Sequence, residues 1–327
     1  MKRALALFAF CFLLSFTAIS VSMKPTYSLS KDPESHQCRF WAMISDNMPE
    51  NTVLDHLVNM PSSLKNLGAS NRDGWGLAYY NSSGTFVLRG QLPAYSDTNF
   101  NLSSHQLASS HAQVGVGHVR IRTSGATAIP DPHPFMRFKN GTWWAFGHNG
   151  GLDKTMLKNL IGQAYLDQNP PTVGDNWTDP DVVDSDLYML YIMKRTEENC
   201  WNATLGIAKA VADIAAQDQY SGMNFFLTNG QTLWGFRRAN TLCYYHNATS
   251  PQYSAIASQP PNATQPGWTQ LDDYNLIVLT KDKPPTIIDN AITIPEHPST
   301  LTLPLLAITT LLAIALSIKK TRRPNKH

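Results

Sequence analysis

Cys38 heads the run Gln37-Cys38-Arg39-Phe40-Trp41-Ala42-Met43-Ile44, an apolar, strand-like stretch with a separable leader, residues 1–37, in front of it. Removing that leader leaves one residue carrying both a thiol and an α-amine, a nucleophile with its own general base. An α-amine has a reference pKa of about 7.7–8.0 and a thiol about 8.5, so proton exchange between them near neutrality is nearly balanced. A thiolate attacking an amide carbonyl builds a negative oxygen. Each donor preorganised around that oxygen is worth about 2.7–4 kcal/mol when removed. The chemistry to look for downstream is amide cleavage, with a donor pair and fixed charges to hold a substrate.

Four stretches have the right residue types. Asn71-Arg72-Asp73-Gly74-Trp75-Gly76-Leu77 brackets a tryptophan with glycines at the start of a strand. Gly117-His118-Val119-Arg120-Ile121-Arg122-Thr123-Ser124-Gly125 sets two arginines at a strand end. Asp131-Pro132-His133-Pro134-Phe135 is a rigid, extended loop, and Gly147-His148-Asn149-Gly150-Gly151 offers a side-chain amide beside backbone N–H groups. Each alone has an ordinary reading: a salt-bridged arginine, a stiff loop, a turn. Their joint appearance in this order behind Cys38 does not.

Together these motifs resemble the class II glutamine amidotransferases, N-terminal nucleophile hydrolases, and most closely the stand-alone members without a synthase domain. The resemblance runs from Cys38 through the Asp184 segment, and more loosely through Met223 to Arg237 and a last strand. It implies Cys38 as nucleophile, with its freed α-amine as base. It further implies Arg120 and Thr123 on the substrate α-carboxylate, Asn149 and the Gly150 N–H as oxyanion hole, and Asp184 on the α-amino group. The implied fold is α+β, a four-layer αββα sandwich with the site between two sheets. A zwitterionic head needs one fixed cation and one fixed anion, and a bidentate guanidinium suits a carboxylate better than lysine. Arg122 stands where synthase-type members have a small residue, so Arg122 and His133 are further candidates for substrate contact. Some members of the family cut their own propeptide, which makes Gln37-Cys38 the expected cleavage point.

The elements that must position these residues read as follows. Cys38–Ile44 is a buried strand and Thr52–Met60 a helix. Gly74–Tyr80 and Thr85–Leu88 form a hairpin, and Val114–Ile121 and Trp143–Phe146 are strands, the latter ending at the Gly147 motif. Lys154–Tyr165, Asp184–Arg195 (with Asp184 as cap) and Leu205–Ala216 are helices. Met223–Thr228 and Thr232–Arg237 flank Asn229-Gly230, a strong hairpin signal, and Tyr274–Thr280 is a final strand. Strands, then helices, then strands suggest one α+β layered domain over 38–282.

Both ends of the chain are apolar. Met1-Lys2-Arg3 followed by Ala4–Ile19 reads as a signal peptide over 1–22, and 23–37 as a propeptide. Beyond a proline-rich stalk at 283–300, residues 301–318 form an apolar stretch of about 18 residues, just long enough to span a bilayer or serve as a sorting helix. The basic tail 319–327 predicts a cytoplasmic end. Asn81, Asn101, Asn140, Asn176, Asn202, Asn247 and Asn262 each open an Asn-X-Ser/Thr triplet, as expected of a glycosylated surface. With Cys11 in the signal, three cysteines remain. Cys200 with Cys243 is a reasonable disulfide, leaving Cys38 free.

These signals predict a domain on the extracellular face of the membrane, anchored by its C-terminal helix. A net charge of +2 gives nucleic-acid binding no support. No Cys-X-X-Cys or His-Glu-X-X-His spacing points to a metal, and no cofactor is implied. The reading is an amide hydrolase acting on a small-molecule amide, glutamine or a γ-glutamyl compound, through a thioester. Two alternatives stand beside it: ammonia transfer to an unidentified protein partner, and an inactive surface-binding protein on the same fold.

Overall fold

In the computed structural model, residues 37–123, 125 and 133–293 are described. The expected signal peptide, the propeptide as far as residue 36, the membrane or sorting helix 301–318 and the basic tail lie outside them. Among the described residues, no helix is long and apolar enough to cross a membrane.

The strand after Cys38, β1 (Arg39–Ser45), is buried at all seven positions. Its alternation explains why. Trp41 and Met43 face one apolar cluster while Phe40, Ala42 and Ile44 face another, so both sides of the strand are covered. Around it lie β2 (Trp75–Asn81), β3 (Gly84–Gly90), β4 (Val114–Val119), and β9 (Cys243–Asn247), β10 (Tyr253–Ala257) and β11 (Thr269–Gln270). They form a seven-stranded sheet in the order β11-β9-β10-β1-β4-β2-β3. A second sheet of six strands runs β13-β12-β8-β7-β6-β5. Its members are β5 (Phe135–Lys139), β6 (Thr142–Leu152), β7 (Tyr220–Thr228), β8 (Thr232–Phe236), β12 (Leu276–Thr280) and β13 (Thr286–Ile288). The strand pairs in both sheets are antiparallel.

Phe40, Ala42, Val114 and Val116 of the first sheet meet Ala145, Phe226, Leu233 and Ile277 of the second in a shared apolar layer. The outer face of the first sheet carries α1 (Glu50–Leu54), which runs on into a π-helical turn (Asp55–Asn59), then α2 (Leu64–Leu67) and α3 (Thr98–Ala108). The outer face of the second carries α4 (Lys154–Ile161), α5 (Gln163–Gln168), α6 (Asp184–Glu198) and α7 (Ala203–Ala215). The stack is therefore helices, sheet, sheet, helices.

Several boundaries differ from the sequence expectation. The helix expected over Lys154–Tyr165 breaks at Gly162, whose φ of 81° lies outside the helical region. The strand expected to stop at Phe146 continues to Leu152, so the Gly147–Gly151 motif is strand, not turn. Val183, not Asp184, is the cap of α6. The stalk expected from residue 283 starts as folded protein: β13 pairs with β12 and Ala291 is fully buried. Helix α3 was not foreseen. Apolar residues along it are few, and its cap Asp97 accepts from both Asn99 N and Trp75 Nε1.

The expected Cys200–Cys243 disulfide is absent, and both cysteines are free. Cys200 follows α6 on the helical face of the second sheet, while Cys243 opens β9 in the first sheet. The two thus belong to different layers of the stack, and a disulfide needs Cα atoms within ~7 Å.

Candidate active site

Parity along three strands brings the chemistry together. Cys38 precedes β1 in step with Phe40 and Ala42, so its side chain points into the layer between the sheets. His118 follows Val114 and Val116 on the same face of β4, and Asn149 follows Ala145 on the inner face of β6. Thiol and amide thus face the same inter-sheet layer from opposite sheets.

The backbone beyond β4 is held by the Asn71–Gly74 segment. Arg120 N donates to Gly74 O and Asp73 N donates back to Arg120 O, both at 2.9 Å. Asp73 Oδ2 then accepts from Arg122 N at 2.6 Å. This clamp fixes Arg120, which is buried at 4% exposure. Gly76 has a separate task. A Cβ there would stand 2.1 Å from His133 O, so only glycine lets the His133-Pro134 backbone cross β2. Gly150 is similarly constrained, since its Cβ would meet Gly222 O at 2.0 Å.

These segments enclose a cavity of about 20 Å³ lined by Cys38, Arg120, Thr123, His133, Gly150 and Asp184, with Ile121, His148, Val183 and Ser185 completing the wall. A neighbouring cleft of about 430 Å³ shares Thr123 and Asp184 with it. The smaller volume holds roughly one water. Asn149 is not in that wall, although His148 and Gly150 on either side are. Its Nδ2 is buried without a hydrogen-bond partner. Arg122 lies outside the cavity: it is exposed, and its guanidinium reaches Gly125 O at 3.3 Å. Among the sequons, Asn140, Asn176 and Asn202 are exposed and the other four half-buried.

The electrostatics suit a dormant nucleophile. Burial pushes the Cys38 thiol up to about 11, against the smaller opposing pull of the Ile121 carbonyl contact at 3.5 Å and the Arg120 charge. Three histidines crowd the site. Burial lowers His118 to about 3 with help from Arg120, lowers His133 well below its usual range, and lowers His148 against the pull of Asp184. Neither ring nitrogen of His133 has a partner, and neither of His118 makes a well-formed hydrogen bond, although the nearby His148 backbone resists its fall in pKa. The two rings lie 4.2 Å apart. His148 is better supplied: Nε2 sits 3.2 Å from Gly222 O and Nδ1 3.0 Å from Ser185 Oγ. A carbonyl only accepts, so Nε2 carries the proton and Nδ1 accepts from the serine.

Asp184 and Asp186 separate cleanly. Asp184 Oδ2 accepts from Leu152 N at 2.8 Å while the residue borders the cavity. Asp186, 1% exposed, is bound to Arg137 at 2.7 Å and to Thr172 N and Oγ1, and takes no part in the site. Among the described residues, no group of three or more His, Cys, Asp and Glu side chains is arranged to hold a metal ion. Sequence reasoning missed His118, His148 and Ser185 as site neighbours, although the two histidines stood inside quoted motifs. Strand parity was the signal that could have found His118.

The profile of the "Glutamine amidotransferases class-II" matches residues 38–280, from Cys38 itself to the end of β12. The chain belongs to the class II glutamine amidotransferases. Among its relatives, "Putative glutamine amidotransferase" of Haemophilus influenzae is 27% identical over 55% of this chain and 56% of its own length. The chain thus spans little more than half of that relative. "Gamma-glutamyl-hercynylcysteine sulfoxide hydrolase" of Mycobacterium tuberculosis is 22% identical over 65% of this chain and 78% of its own. In fold, a glutamine aminotransferase class-II domain protein of Silicibacter pomeroyi aligns with a TM-score of 0.51 at 18% identity, over 77% of this chain and 99% of that one. The glutamine phosphoribosylpyrophosphate amidotransferase of B. subtilis aligns at 0.53 and 13% identity, over 79% and 50%. These class II amidotransferase structures share the two-sheet fold.

Proposed function

We propose that the chain, once cut between Gln37 and Cys38, hydrolyses a γ-glutamyl-type amide, glutamine included, through a thioester on Cys38. The observation that carries this reading is the unpartnered Asn149 Nδ2, buried beside a cavity that Cys38, Arg120, Thr123 and Asp184 share. A buried donor without a partner costs roughly 1–3 kcal/mol, a cost that an arriving oxyanion removes. In the mechanism, the freed α-amine of Cys38 takes the thiol proton and Sγ bonds to the substrate carbonyl carbon. The negative oxygen is held by Asn149 Nδ2 and the Gly150 N–H. The C–N bond breaks as the α-ammonium returns its proton to the leaving nitrogen, and water then hydrolyses the thioester. Arg120 and Thr123 hold the α-carboxylate and Asp184 the α-ammonium. His133, neutral in the wall, faces the substrate without adding charge.

Hydrolysis is favoured over ammonia transfer by the name of the mycobacterial relative, a γ-glutamyl hydrolase. The apolar ends and the sequons support a site outside the cell, anchored through residues 301–318. The deciding experiment combines N-terminal mass spectrometry of the mature protein with a screen of γ-glutamyl amides. The expected results are Cys38 as the first residue and release of glutamate. A mature chain beginning near Met23, with no amide turned over, would sink the reading in favour of a surface-binding protein.

A further inference from the structure

Asn240 lies in the turn between β8 and β9, outside every motif that the sequence singled out. Its Nδ2 donates to the backbone O of Asn149 at 2.9 Å and stands 3.4 Å from Asn149 Oδ1. A backbone carbonyl can only accept, so the nitrogen of the Asn240 amide, not its oxygen, must face Asn149. That nitrogen in turn selects the oxygen of the Asn149 side chain as its neighbour. The Asn149 NH2 is thereby turned the other way, where it is buried and unpartnered.

Asn240 is itself held firmly. Its backbone carbonyl accepts from Asn224 Nδ2 and from Arg237 Nε, each at 2.9 Å, and Asn224 Oδ1 is fixed by Arg238 N at 2.7 Å. Gly222 leaves room for it, since a Cβ there would come within 2.8 Å of Asn240 Nδ2. An asparagine amide has two nearly isosteric orientations, and only one presents donors to a negative oxygen. We infer that Asn240 is a positioning residue that sets the Asn149 amide with its NH2 toward the reacting oxygen. The inference rests on the reading of this site as an amide-cleaving centre.

The test compares N240A and N240D with the parent in the full chain matured at Cys38. In N240A the amide loses its orienting partner, and kcat should fall about 10-fold with KM within twofold. In N240D the new carboxylate only accepts, draws the Asn149 NH2 toward itself and turns Oδ1 to the oxyanion. That variant should lose about 10²–10³-fold in kcat, the effect of deleting an oxyanion donor. An aldehyde analogue that adds to Cys38 should lose affinity in parallel, while glutamate binding stays level. A purely architectural Asn240 would instead move KM and kcat together, or leave the aldehyde untouched, and either result overturns the inference. Should N240D fail to fold, the kcat and aldehyde results for N240A decide. If the parent itself cleaves no amide, the functional reading fails separately. The orientation is then read by NMR: the Asn149 side-chain amide signals should shift in both variants, and unmoved signals overturn it.

Discussion

Asp184 and Asp186 stand two residues apart at the start of α6 and head regions built on opposite terms. Around Asp186, Arg137 and Thr172 occupy both carboxylate oxygens at 2.7 Å, and the group is sealed. Around Asp184, the carboxylate borders a cavity whose surroundings include His133 and Asn149 atoms that lack hydrogen bonds. Each such orphan costs roughly 1–3 kcal/mol, and a fold does not collect several in one place without a use for them. The comparison teaches how to sort buried polar residues in this protein. At Asp186 the satisfied carboxylate ties α6 to β5, whereas beside Asp184 the unpartnered His133 and Asn149 atoms stand next to a cavity.

Breaking the waiting region should remove activity and spare stability. Cys38→Ala should abolish turnover of γ-glutamyl amides with an unchanged melting temperature; retained turnover would refute the nucleophile. Asn149→Ala should lower kcat about 10²–10³-fold. Arg120→Ala should act mainly on KM if the guanidinium holds ground and transition state alike, which steady-state kinetics will resolve.

Breaking the sealed region should do the reverse. Arg137→Ala leaves Asp186 buried without its cation, and urea unfolding should show a loss of about 3–5 kcal/mol. A loss under 1 kcal/mol would mean that the pair is not the anchor its burial suggests.

Two pH profiles sharpen the contrast. His56 titrates in the fold at about 4 and His118 at about 3, against an ordinary 6.5, because burial disfavours their charged forms. Lowered histidine pKa values mean stability that is complete above pH 6.5 and drains away as pH falls toward 4. Urea midpoints at pH 7, 5.5 and 4.5 should drop in that order; a level series contradicts the neutral cluster. The smallest effect concerns the thiol. In uncut chain, alkylation of Cys38 followed by peptide mass spectrometry should keep accelerating past pH 9, where an ordinary thiol of about 8.5 has levelled off.

Much of this was legible before the structure. Cys38–Ile44 read as a buried strand because both of its faces are apolar, and β1 covers Arg39–Ser45, while Asn229-Gly230 marked the β7–β8 hairpin. The segments that form the cavity were legible as motifs, since glycines, prolines and strand-end arginines are punctuation with physical causes. What stayed hidden depends on distant partners. The Gly147 motif looked like a turn because its glycines are turn-formers, yet Gly150 is glycine to admit the carbonyl of Gly222, a neighbour on β7. The Cys200–Cys243 pairing failed because spacing along the chain says nothing about the layer each one occupies. Asn240 was invisible for the same reason: its partner, Asn149, lies 91 residues away.

The elevated pKa of Cys38 also bears on how such a protein survives before it works. At neutral pH a thiol titrating near 11 is ionised in only about one molecule in ten thousand, against a few per cent for a free cysteine. Thiolates, not thiols, are what oxidants and stray disulfides capture. While Gln37 remains attached, burial in the folded chain keeps the thiol almost wholly protonated. The proposed cut after Gln37 would then supply the base that such a quiet thiol lacks.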